Sequence, residues 1–211
     1  MVEAGKGTYE TPDVWLYVSE ISHRTLNDYM ALLGMLRRAA SLVDDLAVNS
    51  LLGDMADRLC ASAHAHQALR RPRENGPRDL HDELLTLCGA LSRSALADRG
   101  VRLTLVSEPL TLDARQCWQI CLIISELVMN AARHAFDEGP GVIAIDARVV
   151  GDDVCCAVAD DGSANRSPLP GSGTAIVDGL AFELGGRIAR CYGPKGSTVV
   201  LSIPYVPRRP A

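Results

Sequence analysis

Aromatic residues are scarce in this 211-residue chain, at 4%, with two phenylalanines and two tryptophans. A core must therefore be built from Leu, Val, Ile and Ala. Positive charge is not in excess either: 21 Lys and Arg stand against 26 Asp and Glu, a net charge of −5. That balance argues against a nucleic-acid partner, which asks for a basic face. No apolar run approaches the roughly 20 residues of a membrane-crossing helix, and the N-terminus lacks a signal-peptide pattern. A cytoplasmic protein with no membrane span is expected. The seven cysteines form no Cys-x-x-Cys pair, and the adjacent Cys155 and Cys156 would point to opposite faces of a strand. Most sit in apolar runs, where a free thiol packs as a small hydrophobe, so buried reduced thiols fit better than disulfides or a metal site. With 47% hydrophobic and 22% charged residues, the chain has an ordinary globular composition.

Two helical stripes come first. Val18, Ile21, Thr25, Tyr29, Leu32, Leu36 and Ala39 recur at helical spacing, then Leu46, Leu52, Met55, Leu59, Ala63 and His66, with no proline between Asp13 and Arg71. A short connection makes them an antiparallel hairpin over 13–71. Two helices alone bury too little, so a homodimer forming a four-helix bundle is expected. The segment Arg70 to Pro77 holds two prolines, a glycine and four charges, and marks a domain boundary. Beyond it the order is a helix from Asp79 to Arg99 stopped at Gly100, a strand Val101–Val106, and a helix from Ala114 to about Phe136. Asp113 and Gln116 have the spacing of a capping box for that last helix. A hairpin (Val142–Val150, Val154–Ala159), a helix (Thr174–Leu184) ended by Gly185-Gly186, and a second hairpin (Arg187–Tyr192, Ser197–Ile203) follow. This predicts an α+β fold: the helical hairpin, then a two-layer α/β sandwich over 79–204, and a loose tail, 205–211.

Within the otherwise apolar helix, Glu126, Asn130 and His134 stand four residues apart, and each step rotates by about 40°, which makes one polar row. Buried polar groups need partners, so the row is satisfied by loops and waters or lines a site for a polar ligand. The strand Val154–Ala159 runs into Asp160-Asp161-Gly162, where a carboxylate at a strand end can accept a hydrogen bond inside a pocket. Gly171-Ser172-Gly173-Thr174 then opens a helix, whose free N–H groups and dipole suit phosphate. Each signal is weak alone; their order along the chain is specific.

At this point the chain resembles the ATP-binding domain of histidine kinases and of the wider GHKL ATPases, over roughly residues 79–204. The run Glu126 to Phe136 resembles the N box. The likeness implies that Asn130 holds Mg²⁺ and that Arg133 and His134 contact the phosphates of ATP. Val158 to Gly162 resembles the first glycine box, which implies that Asp160 reads the adenine amino group beside Gly162. Gly171 and Gly173 resemble the second glycine box, and Gly196 to Val200 the closing strand, whose threonine (Thr198) would support adenine through water.

On the first helix, His23 lies about 200° from Ile21 and so points away from the apolar stripe. Glu20 and Asn27 are its i−3 and i+4 neighbours and can orient the imidazole or a water. His23-Arg24-Thr25-Leu26-Asn27 resembles the His-Arg-x-x-Asn phosphoacceptor box of a histidine-kinase subfamily related to the HWE kinases. Phe136, which follows the N box, suits that subfamily too. The resemblance implies autophosphorylation of His23 from Mg-ATP and transfer to an aspartate on the receiver domain of a response regulator. His64, His66 and His81 lack such company and are read as structural or solvated. The chain departs from the pattern at Ala164, where a second glycine is usual, and in its short lid, Asn165 to Pro170. These departures leave open a histidine phosphotransferase with a non-catalytic ATPase-like domain, or a GHKL-type interaction module. Twelve residues precede the first helix, too few for a sensor. The expectation is that a separate sensor protein supplies the signal or that the chain is the core of a longer one.

Overall fold

The computed structural model describes residues 14–43, 45–69, 72, 76–96, 99–136, 139–163 and 172–205. Two long helices, α1 (Val14–Ala40) and α2 (Leu46–Ala68), pack against each other. Asp45 starts the second: its carboxylate accepts the N–H groups of Ala47 and Val48 at 2.8 and 3.2 Å. Arg37 and Arg38 sit in the last turn of α1, where the helix dipole favours them. Leu33, Ala56 and Ala63 are buried, and Tyr29 meets His66 edge to face at 6.1 Å. Leu33, and not the expected Leu32, carries the inner stripe; Leu32 is 49% exposed. Met30, Met35, Leu42, Leu46, Leu51 and Met55 are also exposed, so the pair leaves much apolar surface unburied.

The sandwich begins with a short strand, β1 (Pro77–Asp79), paired antiparallel with β3 (Thr111–Asp113). Between them lie α3 (Leu80–Leu91), a π-helical turn (Ser92–Leu96) and β2 (Val101–Ser107). Asp79 caps α3 through the N–H of His81 at 2.9 Å and also accepts that of Leu110 at 3.1 Å, which ties helix start to strand start. The single helix expected over 79–99 therefore changes at Ser92, where Ser94 Oγ bonds back to the Ala90 carbonyl at 2.9 Å. Gly100 has φ of 64°, the left-handed conformation its position called for.

Next come α4 (Ala114–His134), β4 (Gly141–Val150), β5 (Asp153–Asp160), α5 (Ser172–Glu183), β6 (Arg187–Gly193) and β7 (Gly196–Pro204). Asp113 and Gln116 form the reciprocal capping box of α4. The sheet order is β2-β4-β5-β7-β6, with β2 parallel to β4 and every other pair antiparallel. The helices cover one face. Leu84, Leu87, Ile120, Ile123, Ile124 and Val128 from the helices meet Ile143, Ile145, Cys156, Leu201 and Ile203 from the sheet, all buried. Burying each such side chain contributes about 1.5–3 kcal/mol, so this layer is where the stability of the domain resides. Trp118 of α4 donates its indole N–H to the Leu69 carbonyl at 2.7 Å, joining the end of α2 to the sandwich. Tyr205, placed in the tail by the sequence, donates its N–H to Asp152 at 2.8 Å.

The α+β architecture is thus the one the sequence implies, helical pair then sandwich. Residues 1–13, most of the 70–75 linker, the lid 164–170, Gly171 and the tail from 206 lie outside the described residues.

Candidate functional site

Helix α4 is apolar around most of its circumference, so it is held down firmly and its few polar groups are fixed in place. Asn130 and Glu126 are half-buried, and His134 is exposed at its last turn beside Arg133. Arg133 at this end opposes the partial negative charge of the helix C-terminus, and Arg99 adds a second cation, donating to the Ala132 carbonyl at 2.6 Å.

Strand β5 brings Asp160 to the same region. Its Oδ1 accepts the N–H of Gly162 at 3.0 Å and that of Ser197 at 3.3 Å, and the Ser197 hydroxyl donates to Oδ2. Three donors aim the carboxylate and hold it in one orientation. Two glycines make the approach possible. A Cβ on Gly162 would collide with the Ala135 carbonyl at the end of α4, and a Cβ on Gly196 with the carbonyl of Asp160. Gly196 also has φ of 122°, a conformation glycine adopts readily. Ser163 N–H closes on Ala135 at 3.2 Å, and Asp161 exchanges bonds with Val142 at 2.7 and 3.2 Å. Phe136 packs against Gly141 so closely that no side chain fits there. The end of α4 and the ends of β4 and β5 are thereby locked together.

A cavity opens above this junction. Leu127, Asn130, Ala131 and His134 line it from α4, Asp160 and Val158 from β5, and Ser197 and Val199 from β7. Thr174 and Val177 close it from α5, and Arg190 and Tyr192 from β6. Of the residues expected at a site, Asn130, His134 and Asp160 converge here. Gly162 lies beneath as a packing glycine, and Gly173 sits in the first turn of α5, next to Thr174. Glu126 and Arg133 lie on α4 outside the lining. Thr198 is not brought in: side chains alternate along β7, so Ser197 and Val199 face the cavity and Thr198 faces away. Ser197, not among the residues expected at the site, is in phase with the buried Val199, Leu201 and Ile203, a parity visible in the sequence. Arg190 and Tyr192 carry no such local signal, because only the pairing of β6 with β7 brings them to this face. Gly171 falls outside the described residues. Glu20, His23 and Asn27 lie on α1, and Asn27 is exposed.

The donor set bears on a metal. Among the described residues no group of three or more His, Cys, Asp or Glu could hold an ion. Among the described residues that line the cavity, Asn130 is the one with a side-chain amide oxygen, which suits a Mg²⁺ that arrives with phosphate oxygens and takes few ligands from protein. The thiols take no part. Cys88 is pushed up to about 11 and Cys117 and Cys156 to about 12, in each case chiefly by burial, so they stay protonated. All seven cysteines are free.

The family model described as a histidine kinase-like ATPase domain matches residues 94–203, and one described as histidine kinase matches residues 20–95. Blue-light-activated histidine kinase 2 of Erythrobacter litoralis is 26% identical over 96% of this chain and 62% of its own length. Sensor histidine kinase PdtaS of Mycobacterium tuberculosis is 27% identical over 89% of this chain and 39% of its own. The chain thus spans 39% to 62% of the length of these relatives. Among solved structures, the histidine kinase domain of a blue-light activated kinase from Erythrobacter litoralis superposes with a TM-score of 0.58 at 20% identity, covering 83% of this chain and 95% of that one. That last likeness speaks for the fold alone. With the ATPase-domain match extending over more than half the residues, the chain belongs to the histidine kinase family.

Proposed function

We propose that the chain is the core of a two-component sensor-type kinase that phosphorylates His23 from Mg-ATP and passes the phosphoryl group to a response-regulator aspartate. The single observation that carries the reading is the convergence of Asn130, His134 and Asp160 on one cavity, in a chain whose first helix bears His23. In this reading residues 13–71 are the dimerising phosphotransfer hairpin and residues 79–204 the ATP-binding domain. Asp160, fixed by its three donors, accepts the amino group of adenine; Asn130 faces the phosphates, with Arg133 and His134 at the mouth. The N-terminal turn of α5, at Ser172, Gly173 and Thr174, presents N–H groups of the kind that suit phosphate. Mg²⁺, held at Asn130 and by the nucleotide itself, would neutralise charge on the transferring group.

The chemistry proposed for His23 is that of an imidazole nucleophile. Neutral imidazole is a competent nucleophile near pH 7. A ring nitrogen forms the N–P bond as the bond to the bridging oxygen breaks, and ADP leaves with that electron pair. Glu20, one turn before, would take up the ring proton, and Asn27, one turn after, would orient the ring or a water. Transfer then breaks the N–P bond in favour of a carboxylate on the regulator. The exposed methionines and leucines of α1 and α2 support a homodimer, since they are the surface a second copy would cover. No helix among the described residues is long and apolar enough to cross a membrane. The test is to incubate the protein with Mg²⁺ and γ-labelled ATP and then add a receiver domain. Acid-labile, base-stable label on the protein that moves to the receiver is expected. No label, with phosphate still accepted from a phosphorylated receiver, would instead identify a phosphotransferase.

A further inference from the structure

The edge strand β6 sends two side chains into the cavity, and none of the expected site residues lies there. Tyr192 pairs across β7 with Ser197, and Arg190 with Val199. Ser197 in turn donates to Asp160, and Val199 pairs with Val158. Two parallel rows result: Asp160, Ser197, Tyr192 and, one step inward, Val158, Val199, Arg190. Strands lie about 4.8 Å apart, so the Asp160 carboxylate and the β6 side chains face each other across about 10 Å. The two valines form an apolar floor between them, and Val177 of α5 comes over it.

The polar groups at the two ends are complementary in kind. Ionised Asp160 only accepts hydrogen bonds, whereas a guanidinium only donates, with five N–H groups. Arg190 uses Nη2 on Asp178 of α5, at 2.6 Å, and its side chain is 25% exposed. Held by that carboxylate, it keeps further N–H groups for the cavity it lines. A cavity with an acceptor at one end, donors at the other and valines between them fits a planar heteroaromatic ring that has an amino group on one edge and ring-nitrogen acceptors on another. A purine has that pattern.

We propose that Arg190 is a specificity-determining residue of the base subsite, donating to an acceptor on the purine whose amino group meets Asp160, with Asp178 holding the guanidinium in place. The proposal rests on the nucleotide-binding reading above. Its rival is that Arg190 merely anchors α5 through Asp178, in which case it would affect the phosphate end of the ligand as much as the base.

Calorimetric titration of the whole chain separates these, with Mg-ATP and Mg-ribose 5-triphosphate, which lacks the base, as ligands. Arg190→Leu should weaken Mg-ATP by about tenfold or more, the loss expected for a hydrogen bond from a charged group, and change ribose triphosphate by less than about twofold. Asp178→Asn, which breaks the ion pair and leaves the guanidinium, should cost Mg-ATP clearly less than Arg190→Leu. Thermal melts check folding, and if Arg190→Leu does not fold, Arg190→Lys carries the test: it can still pair with Asp178 but lacks the planar fork, and should weaken Mg-ATP alone. Equal losses for both ligands, equal losses in the Arg190 and Asp178 variants, or no loss in any Arg190 variant would overturn the proposal. Failure of the unaltered protein to bind Mg-ATP would overturn the nucleotide reading, and the proposal with it.

Discussion

Gly196 faces the backbone carbonyl of Asp160 with no room for a side chain between them. The turn that closes β6 onto β7 thus fixes the residue at the end of β5, and the same turn supplies the Ser197 N–H and hydroxyl that aim its carboxylate. Turn chemistry and site chemistry meet in one backbone contact. Gly196→Ala should therefore cost more than loop entropy. A φ of 122° is strained for alanine by about 1–3 kcal/mol, before the steric conflict is counted. Denaturant unfolding should register a loss at or above that range, and unchanged stability would mean the strand ends are less tightly coupled than the structure has them.

Asp160→Asn keeps size and shape but replaces a charged acceptor with an amide. Loss of a charge-assisted bond predicts a decrease of about tenfold or more in Mg-ATP affinity, with the oligomeric state unchanged. Fluorescent-nucleotide displacement and light scattering measure the two. A variant that becomes monomeric or unfolds would assign Asp160 a structural role instead.

Met35 and Leu51 are 67% and 59% exposed on the helical pair. If a second copy covers them, Met35→Glu or Leu51→Glu buries an unpaired charge in the interface and should raise the dimer dissociation constant at least about tenfold. Sedimentation across a concentration series reads this directly. A chain that is monomeric without any substitution would contradict the bundle.

Buried thiols give a pH dependence of definite sign. Cys88, Cys117 and Cys156 are raised from about 9 to about 11, 12 and 12 by burial. The folded state therefore keeps protons that the unfolded chain loses. Their contribution is complete below about pH 9 and declines as the pH climbs toward the folded values, so the melting temperature should fall between pH 9 and 11. A thiol reagent at pH 8 should modify the exposed Cys191 at once and the four buried thiols, Cys88, Cys117, Cys121 and Cys156, only on unfolding. Rapid reaction of all seven would show the core to be open.

Much of this architecture is written locally in the sequence. The capping box of Asp113 and Gln116, the left-handed Gly100 and Gly185, and the two-residue turn between Gly193 and Gly196 depend on neighbours a few positions away, so spacing reveals them. Asn130 and Asp160 were legible for the same reason: a polar group in an apolar helix and a carboxylate at a strand end are local anomalies. What escaped was non-local. The three-residue strands Pro77–Asp79 and Thr111–Asp113 exist only because they pair with each other. Leu33 supplants Leu32 because contact between α1 and α2, which spacing alone does not reveal, decides which of two adjacent leucines is buried. Arg190 and Tyr192 look like ordinary edge-strand residues until β7 sets their register against Ser197 and Val199.

The most direct test of the central claim is phosphorylation from γ-labelled ATP with Mg²⁺ in three proteins: unaltered, His23→Gln and Asp160→Asn. The account predicts an acid-labile, base-stable label in the first, none in the second and a strongly reduced rate in the third at limiting ATP. Label that persists in His23→Gln, or that forms equally fast in Asp160→Asn, would contradict it.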